Sequence, residues 1–434
     1  MHKIITIFLS LLLIMPSHGA TLINDTETEN LLSDLIAPLA TAAGIPDGRL
    51  NIHIVSDNDF NAFVMGGDDV YIYTGLLTEI KSPNALQAVV AHELGHTLGG
   101  HMSQMSSRMA AEMKRAMLIQ ALGIGLMAAG GNPSLGAGVL AGAGGVATQS
   151  MLAFSRDEER IADNMGLDLM IRAGQNPDGF IDVFEQMRDI SGAAESKINP
   201  DRVNHPLTSE RLKNVREYIA AHPGAKKNRA AESRNNERFD LARAKLIGYL
   251  SPLSLIKTRY PATDSGNPAI YARAIANMRA GNLTDAKTGT QTLISRAPGN
   301  PYFYELLGDI EYQFGHYDDS VLAYEKSLSI AGDAPQIQTA LALVLTERNK
   351  PGDAPRAIEL CKRAILSAPA PLSYWVLARA YGDDANSDWA MAEYYNMTGN
   401  TDAAHKYAKR ARKRLKKDSP EYIKSGDILN QRNK

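Results

Sequence analysis

The sequence predicts a mostly α-helical protein, an α-rich domain with a small β-sheet followed by an α-solenoid of paired helices. Three observations lead there. Apolar residues recur at helical spacing from Leu86 to Leu98, two short β-prone runs precede them, and a spacing of 34 residues recurs through the C-terminal third. At 434 residues the chain is too long for one ordinary core. Hydrophobic residues at 44% and charged residues at 22% are those of a globular chain and exclude a disordered or fibrous one. Lys+Arg 46 against Asp+Glu 48 leaves a net charge of -2, without the basic excess of a dedicated nucleic-acid binder. Cys361 is the single cysteine, which rules out an internal disulfide framework and a cysteine-rich zinc module.

Residues 1–20 read as a cleavable secretory signal. Lys3 supplies the positive start, Ile4 to Met15 the apolar run, and Pro16 breaks it ahead of a cleavage point after Gly19 or Ala20. Such a run is too short to span a bilayer, where about 20 residues are needed. Residues 21–250 read as one α-rich domain. Leu50–Val55 and Val70–Tyr73 are its β-prone runs, Gly66-Gly67-Asp68-Asp69 supplies turn chemistry, and Ser82-Pro83-Asn84 opens the helix that follows. Residues 116–154 are nearly free of charge, but Gly130-Gly131-Asn132-Pro133 interrupts them, so no transmembrane helix is expected in the mature chain. Two readings stand for this segment: small-faced helices packed closely on the domain, or an exposed hairpin making peripheral contact with lipid or an unfolded client.

Residues 251–266, rich in Pro, Gly and Asp, read as a connector. Beyond it, Gly281 and Gly315, Ala286 and Ser320, and Pro301 and Pro335 are each 34 residues apart. That period, with small residues at fixed offsets, is the signature of tetratricopeptide helix pairs, expected over 267–417 with a tail at 418–434. The basic run from Lys406 to Lys417 reads as the solvated face of a capping helix.

The strongest chemical signal is His92-Glu93-Leu94-Gly95-His96. On a helix, residues four apart share a face, so both imidazoles can reach one metal ion, and Glu93 beside them can take a proton from water. The third ligand decides the class. A histidine ten positions after His92 would be needed for one class, but Met102 stands there and His101 misses by one. A later helix offers a carboxylate instead. Glu159 and Asp163 share a face at four-residue spacing, so Glu159 can ligate while Asp163 fixes the tautomer of a ligand histidine.

Together with Asn61-Ala62-Phe63, Gly66-Gly67, Gly75-Leu76-Leu77, Ser155-Arg156, Ala162-Asp163, His205-Pro206-Leu207 and Ser209-Glu210-Arg211, these pieces resemble the HtpX-type zinc metallopeptidases, which include the CAAX prenyl proteases. The repeats make the chain similar to the secreted branch of that family in the Gram-negative periplasm. Ile161 and Met65 depart from the family pattern, at positions that are not ligands. The resemblance implies a zincin-type domain with one zinc ion held by His92, His96 and Glu159, with Glu93 as general base and acid and Arg211 in the site. It implies that the strand at Asn61 and Ala62 pairs with an extended substrate, and that His205 is a regulatory ligand on a loop. It further implies unfolded or misassembled outer-membrane β-barrel proteins and their assembly machinery as partners. A repeat-based chaperone or adaptor with a latent or structural zinc site is the alternative.

Overall fold

A short extended pair, β1 (Leu22–Ile23), leads into α1 (Thr26–Ala42). Asp25 starts that helix. Its Oδ2 accepts from the Thr28 amide at 2.9 Å while its own amide donates to Glu29 Oε1 at 3.0 Å, a reciprocal cap that satisfies amides the helix start would leave open. The computed structural model describes residues 22–100, 156–192, 209–223 and 229–431. The expected signal segment at 1–20, the low-charge segment at 116–154 and His205 lie outside the described residues. The chain divides into two compact units, one of residues 31–239 and one of residues 1–30 with 240–434.

In the first unit β2 (Asn51–Val55) pairs in parallel with β4 (Asp69–Tyr73), and β3 (Ala62–Met65) pairs antiparallel on the other side of β4. The register sets Ala62 opposite Ile72 and Met65 opposite Asp69. Gly66 and Gly67, at φ 66° and 95°, make the β3–β4 turn, a left-handed backbone that glycine adopts without steric cost. Ile54, Val64, Val70 and Ile72 bury the inner face. β4 runs directly into α2 (Thr74–Glu79), and α3 (Pro83–Leu98) follows. Ser82 Oγ accepts from the Ala85 amide at 3.1 Å, and Pro83 occupies the first turn, where its missing N–H costs nothing. Nearly every residue of α3 from Ala85 to His96 is buried, so the helix threads the core. α4 (Arg156–Arg172), α5 (Gly179–Gly192) and α6 (Ser209–Ala221) complete the described surroundings of the site.

Helix α7 (Arg229–Leu250) and a one-turn-and-more helix α8 (Leu253–Arg259) precede the repeats. The pairs are α9 (Asn267–Arg279) with α10 (Leu283–Arg296), α11 (Pro301–Phe314) with α12 (Tyr317–Ala331), and α13 (Pro335–Arg348) with α14 (Asp353–Ser367). They continue as α15 (Pro371–Tyr381) with α16 (Ala385–Met397), and α17 (Thr401–Arg414) with α18 (Pro420–Asn430). The 34-residue spacing has a direct cause. Gly281 and Gly315 take the left-handed conformation after the first helix of a pair, and Pro301 and Pro335 start the first helix of the next. Ala286 and Ser320 are fully buried where the second helix crosses the first. Gly308 matters most there: a Cβ would lie 2.9 Å from the Tyr324 ring, so only glycine lets α11 and α12 close. No helix among the described residues is long and apolar enough to cross a membrane.

Candidate metal centre and cleft

Two buried helices meet at the site, and two glycines set how closely they meet. A Cβ on Gly95 of α3 would stand 2.5 Å from the Ala162 carbonyl oxygen of α4. One on Gly166 of α4 would stand 3.0 Å from the Ala91 backbone of α3. Without side chains at these points the backbones touch, and the acidic face of α4 is brought against the histidine face of α3.

The four-residue spacings then act as expected. His92 Nε2 and His96 Nε2 are 3.1 Å apart, and each lies 3.5 Å from an oxygen of Glu159, on Oε2 and Oε1 respectively. All three side chains are buried, and their donor atoms fall within 4.8 Å of one another. Ligand bonds of about 2.0–2.1 Å in a tetrahedron put donor atoms about 3.3 Å apart, so this triangle fits a zinc-sized ion with one position left open. The charge of the site points the same way. Burial alone would lower the His92 pKa, but hydrogen bonds to Asp163 and Glu159 overcome it and hold the imidazole at about 9. The carboxylates round His92 thus favour a cation at the centre of the site.

Two further residues hold His92 and Glu159 in place. Asp163 Oδ1 lies 2.9 Å from His92 Nδ1, which fixes the ring and turns Nε2 toward Glu159. Arg211 of α6 forks onto Asp163, donating from Nε to Oδ2 at 2.8 Å and from Nη2 to Oδ1 at 2.7 Å. Its Nη1 lies 2.7 Å from Glu159 Oε2, and its guanidinium sits 5.0 Å from the centre of the Phe184 ring. Burial would raise the Asp163 carboxyl, yet the hydrogen bonds from Arg211 and His92 bring it below the usual carboxylate range. One arginine therefore ties a metal-site carboxylate to the aspartate that orients a metal-site histidine.

Glu93 is buried beside His92 and faces a cleft with about 610 Å³ of empty space open to solvent. The cleft is also bordered by Asn61, Ala62, Asp163 and Arg211. Asn61 and Ala62 lead into β3, and the outer side of β3 carries no further strand among the described residues. The other wall is apolar and comes from α5: Phe180, Val183, Phe184 and Met187.

Seven expected site residues thus share one region: His92, His96, Glu159, Glu93, Asp163, Asn61 and Ala62, and Arg211 joins them as their ionic tie. His205 is not among the described residues. His53 lies apart, with Asp69 Oδ1 at 2.8 Å from its Nε2, and stacks on Tyr71. Sequence reasoning missed the α5 wall, because residues 180, 183, 184 and 187 follow the spacing of any core-facing helix. Glu158, next to Glu159 on α4, is buried as well.

Two histidines one turn apart, a carboxylate from a second helix and a glutamate at the cleft are the donor set and proton carrier that a metallopeptidase needs. Residues 26–223 match peptidase family M48. Metalloprotease YcaL of Escherichia coli (strain K12) is 30% identical over 190 residues, covering 43% of this chain and 69% of that protein. The beta-barrel assembly-enhancing protease of Escherichia coli (strain K12) is 25% identical over 401 residues, covering 89% of this chain and 79% of that protein. Its Yersinia pestis namesake is 23% identical over 380 residues, covering 85% and 74%. The chain belongs to peptidase family M48 and is a metallopeptidase with C-terminal helical repeats.

Proposed function

We propose that this chain is a zinc-dependent endopeptidase of the periplasm that degrades unfolded or misassembled outer-membrane β-barrel proteins and assists their assembly. The observation that carries the reading is the convergence of His92, His96 and Glu159 at tetrahedral spacings beside Glu93, in a cleft bordered by an edge strand. The similarity to beta-barrel assembly-enhancing proteases over 89% of the chain supports the substrate class.

His92, His96 and Glu159 would hold the zinc, which when bound polarises a peptide carbonyl and makes water acidic enough to attack it. Asp163 holds His92 in the tautomer that leaves Nε2 free to ligate, and Arg211 keeps Asp163 ionised and holds Glu159 in place. An extended client lies along β3 from Asn61 and Ala62, adding a strand at the open edge, which presents main-chain groups without regard to side-chain sequence. That suits an enzyme for unfolded clients. Glu93 takes the proton of the attacking water and passes it to the leaving amine. The helical repeats, five pairs in the described residues, supply a surface on which clients or assembly machinery are held.

The test is degradation of a purified unfolded β-barrel protein by the full chain, with metal removed by chelator and then restored with zinc. Cleavage that stops on removal and returns with zinc is expected. Client binding that suppresses aggregation with no cleavage under any metal condition would favour the repeat-based chaperone instead.

A further inference from the structure

Residues 22–30 belong to the repeat-bearing unit, and the way they are held is unusual for a surface segment. Asp25, Thr26, Glu27 and Thr28 are buried. Their partners come from the first helices of three successive pairs. Tyr271 of α9 donates from its hydroxyl to Glu27 Oε2 at 2.9 Å, Tyr302 of α11 accepts from Asn30 Nδ2 at 3.1 Å, and Gln336 of α13 donates to Glu29 Oε2 at 3.1 Å. Thr26 also donates to Gln336 Oε1. Tyr302 and Gln336 are 34 residues apart, as are Tyr271 and Glu305. These are equivalent positions of neighbouring repeats, so the segment lies along one repeated face as a peptide ligand would.

The floor of this site is charged. Lys245 of α7, 2% exposed, places Nζ 2.5 Å from Asp25 Oδ1, 3.0 Å from Glu305 Oε2 and 3.6 Å from Glu27 Oε2. Behind Glu305 on α11, Asp309 accepts from Tyr249 of α7 at 3.3 Å and from Tyr324 of α12. Asp25, Glu27 and Glu305 therefore gather round one ammonium, with Glu29 held on the Asp25 amide and Asp309 one turn beyond Glu305. With Tyr271, Tyr302 and Tyr324 held neutral by burial, such a cluster has more acid than a buried site holds ionised. Its closure calls for bound protons.

We propose that residues 22–30 are a proton-dependent clasp, an intramolecular ligand seated on the first three repeats while the buried acids share protons and released as those protons leave. The acids are poised for this. Burial is the largest cause and lifts Glu27 from an ordinary 4.5 to about 7, against the pull of Lys245 and helped by Asp25. Burial likewise lifts Glu29 to about 7 and Glu305 to about 8. An acid with a raised pKa in the closed state binds its proton more tightly there than when free. Closure is therefore fully favoured below about 4.5 and weakens as pH climbs through about 7 to 8. Each such group changes the closing equilibrium by up to about tenfold per pH unit inside its window. α1 continues unbroken to Ala42, so the clasp also decides how firmly the start of that helix is fixed.

Hydrogen exchange of the full chain, read as protection factors corrected for intrinsic rates, tests this at pH 5.5 and pH 8. Protection of residues 22–30 should fall at least about tenfold between the two, while that of α13 holds. The isosteric pair Glu27→Gln with Glu305→Gln should flatten the fall, and Glu29→Gln alone should reduce it if the pair does not fold. Protection that is unchanged with pH, a loss shared equally by α13, or Gln variants with the wild-type pH profile would each overturn the clasp.

Discussion

Removing Arg211 should destabilise the metal-free peptidase unit more than any surface charge could. Its guanidinium is 8% exposed and makes two bonds of 2.7 and 2.8 Å to Asp163 and a contact of 2.7 Å to Glu159. Arg211→Met leaves both carboxylates buried without that cation, and breaking a buried pair from one side costs about 3–5 kcal/mol. For a unit of this size each kcal/mol moves the midpoint by about 2–4 °C, so a fall of about 6–20 °C is expected. Arg211→Lys should lie between, because an ammonium keeps the charge but cannot grip Asp163 through a fork. Zinc should return part of the loss, since a cation held by His92, His96 and Glu159 neutralises the same carboxylates. Thermal unfolding of each variant with chelator and with zinc gives all the numbers. A metal-free Arg211→Met midpoint within 1–2 °C of wild type, on that same scale, would refute the ionic role given to Arg211.

Asp163→Asn should weaken zinc binding about 10- to 100-fold in a chelator competition, because His92 loses the acceptor that orients it. Glu159→Ala should abolish stoichiometric metal binding while Glu158→Ala retains it, as read by elemental analysis; equal losses would put the ligand helix in another register. Gly95→Ala, whose Cβ would meet the Ala162 carbonyl oxygen at 2.5 Å, should push α3 and α4 apart and cost metal binding even though no ligand changes. Wild-type affinity in that variant would show that close helix approach is not what builds the site.

The metal triangle was legible because a helix converts spacing into direction: His92 and His96, then Glu159 and Asp163, needed only the 3.6-residue turn to share their faces. The repeats were legible for a similar reason, since Gly281 and Gly315 and Pro301 and Pro335 mark turns that recur with each pair. Arg211 was visible as part of a motif but its role was not, because its partner lies 48 residues earlier and only tertiary packing joins them. Phe180, Val183, Phe184 and Met187 carry the stripe of any core helix, so nothing local says that this stripe lines a cleft. The Lys245 cluster was hidden most deeply. Asp25 and Glu27 look like ordinary first-turn acids, and only the fold carries them to a lysine some 220 residues away. Residues 420–430, expected within a tail, form α18 because Ile428 packs with Ala404 and Ala408 of α17 and Ala392 of α16, and Ser425 is buried beside it in the same helix.

Glu93 is the residue on which cleavage depends most directly. Glu93→Gln keeps the size of the side chain and leaves His92, His96 and Glu159 untouched, so zinc content should stay at one ion per chain. Degradation of an unfolded β-barrel protein should fall by about 10²–10⁴, the usual contribution of a positioned proton carrier. Full zinc with proteolysis at the wild-type rate would contradict the mechanism and the role assigned to the cleft.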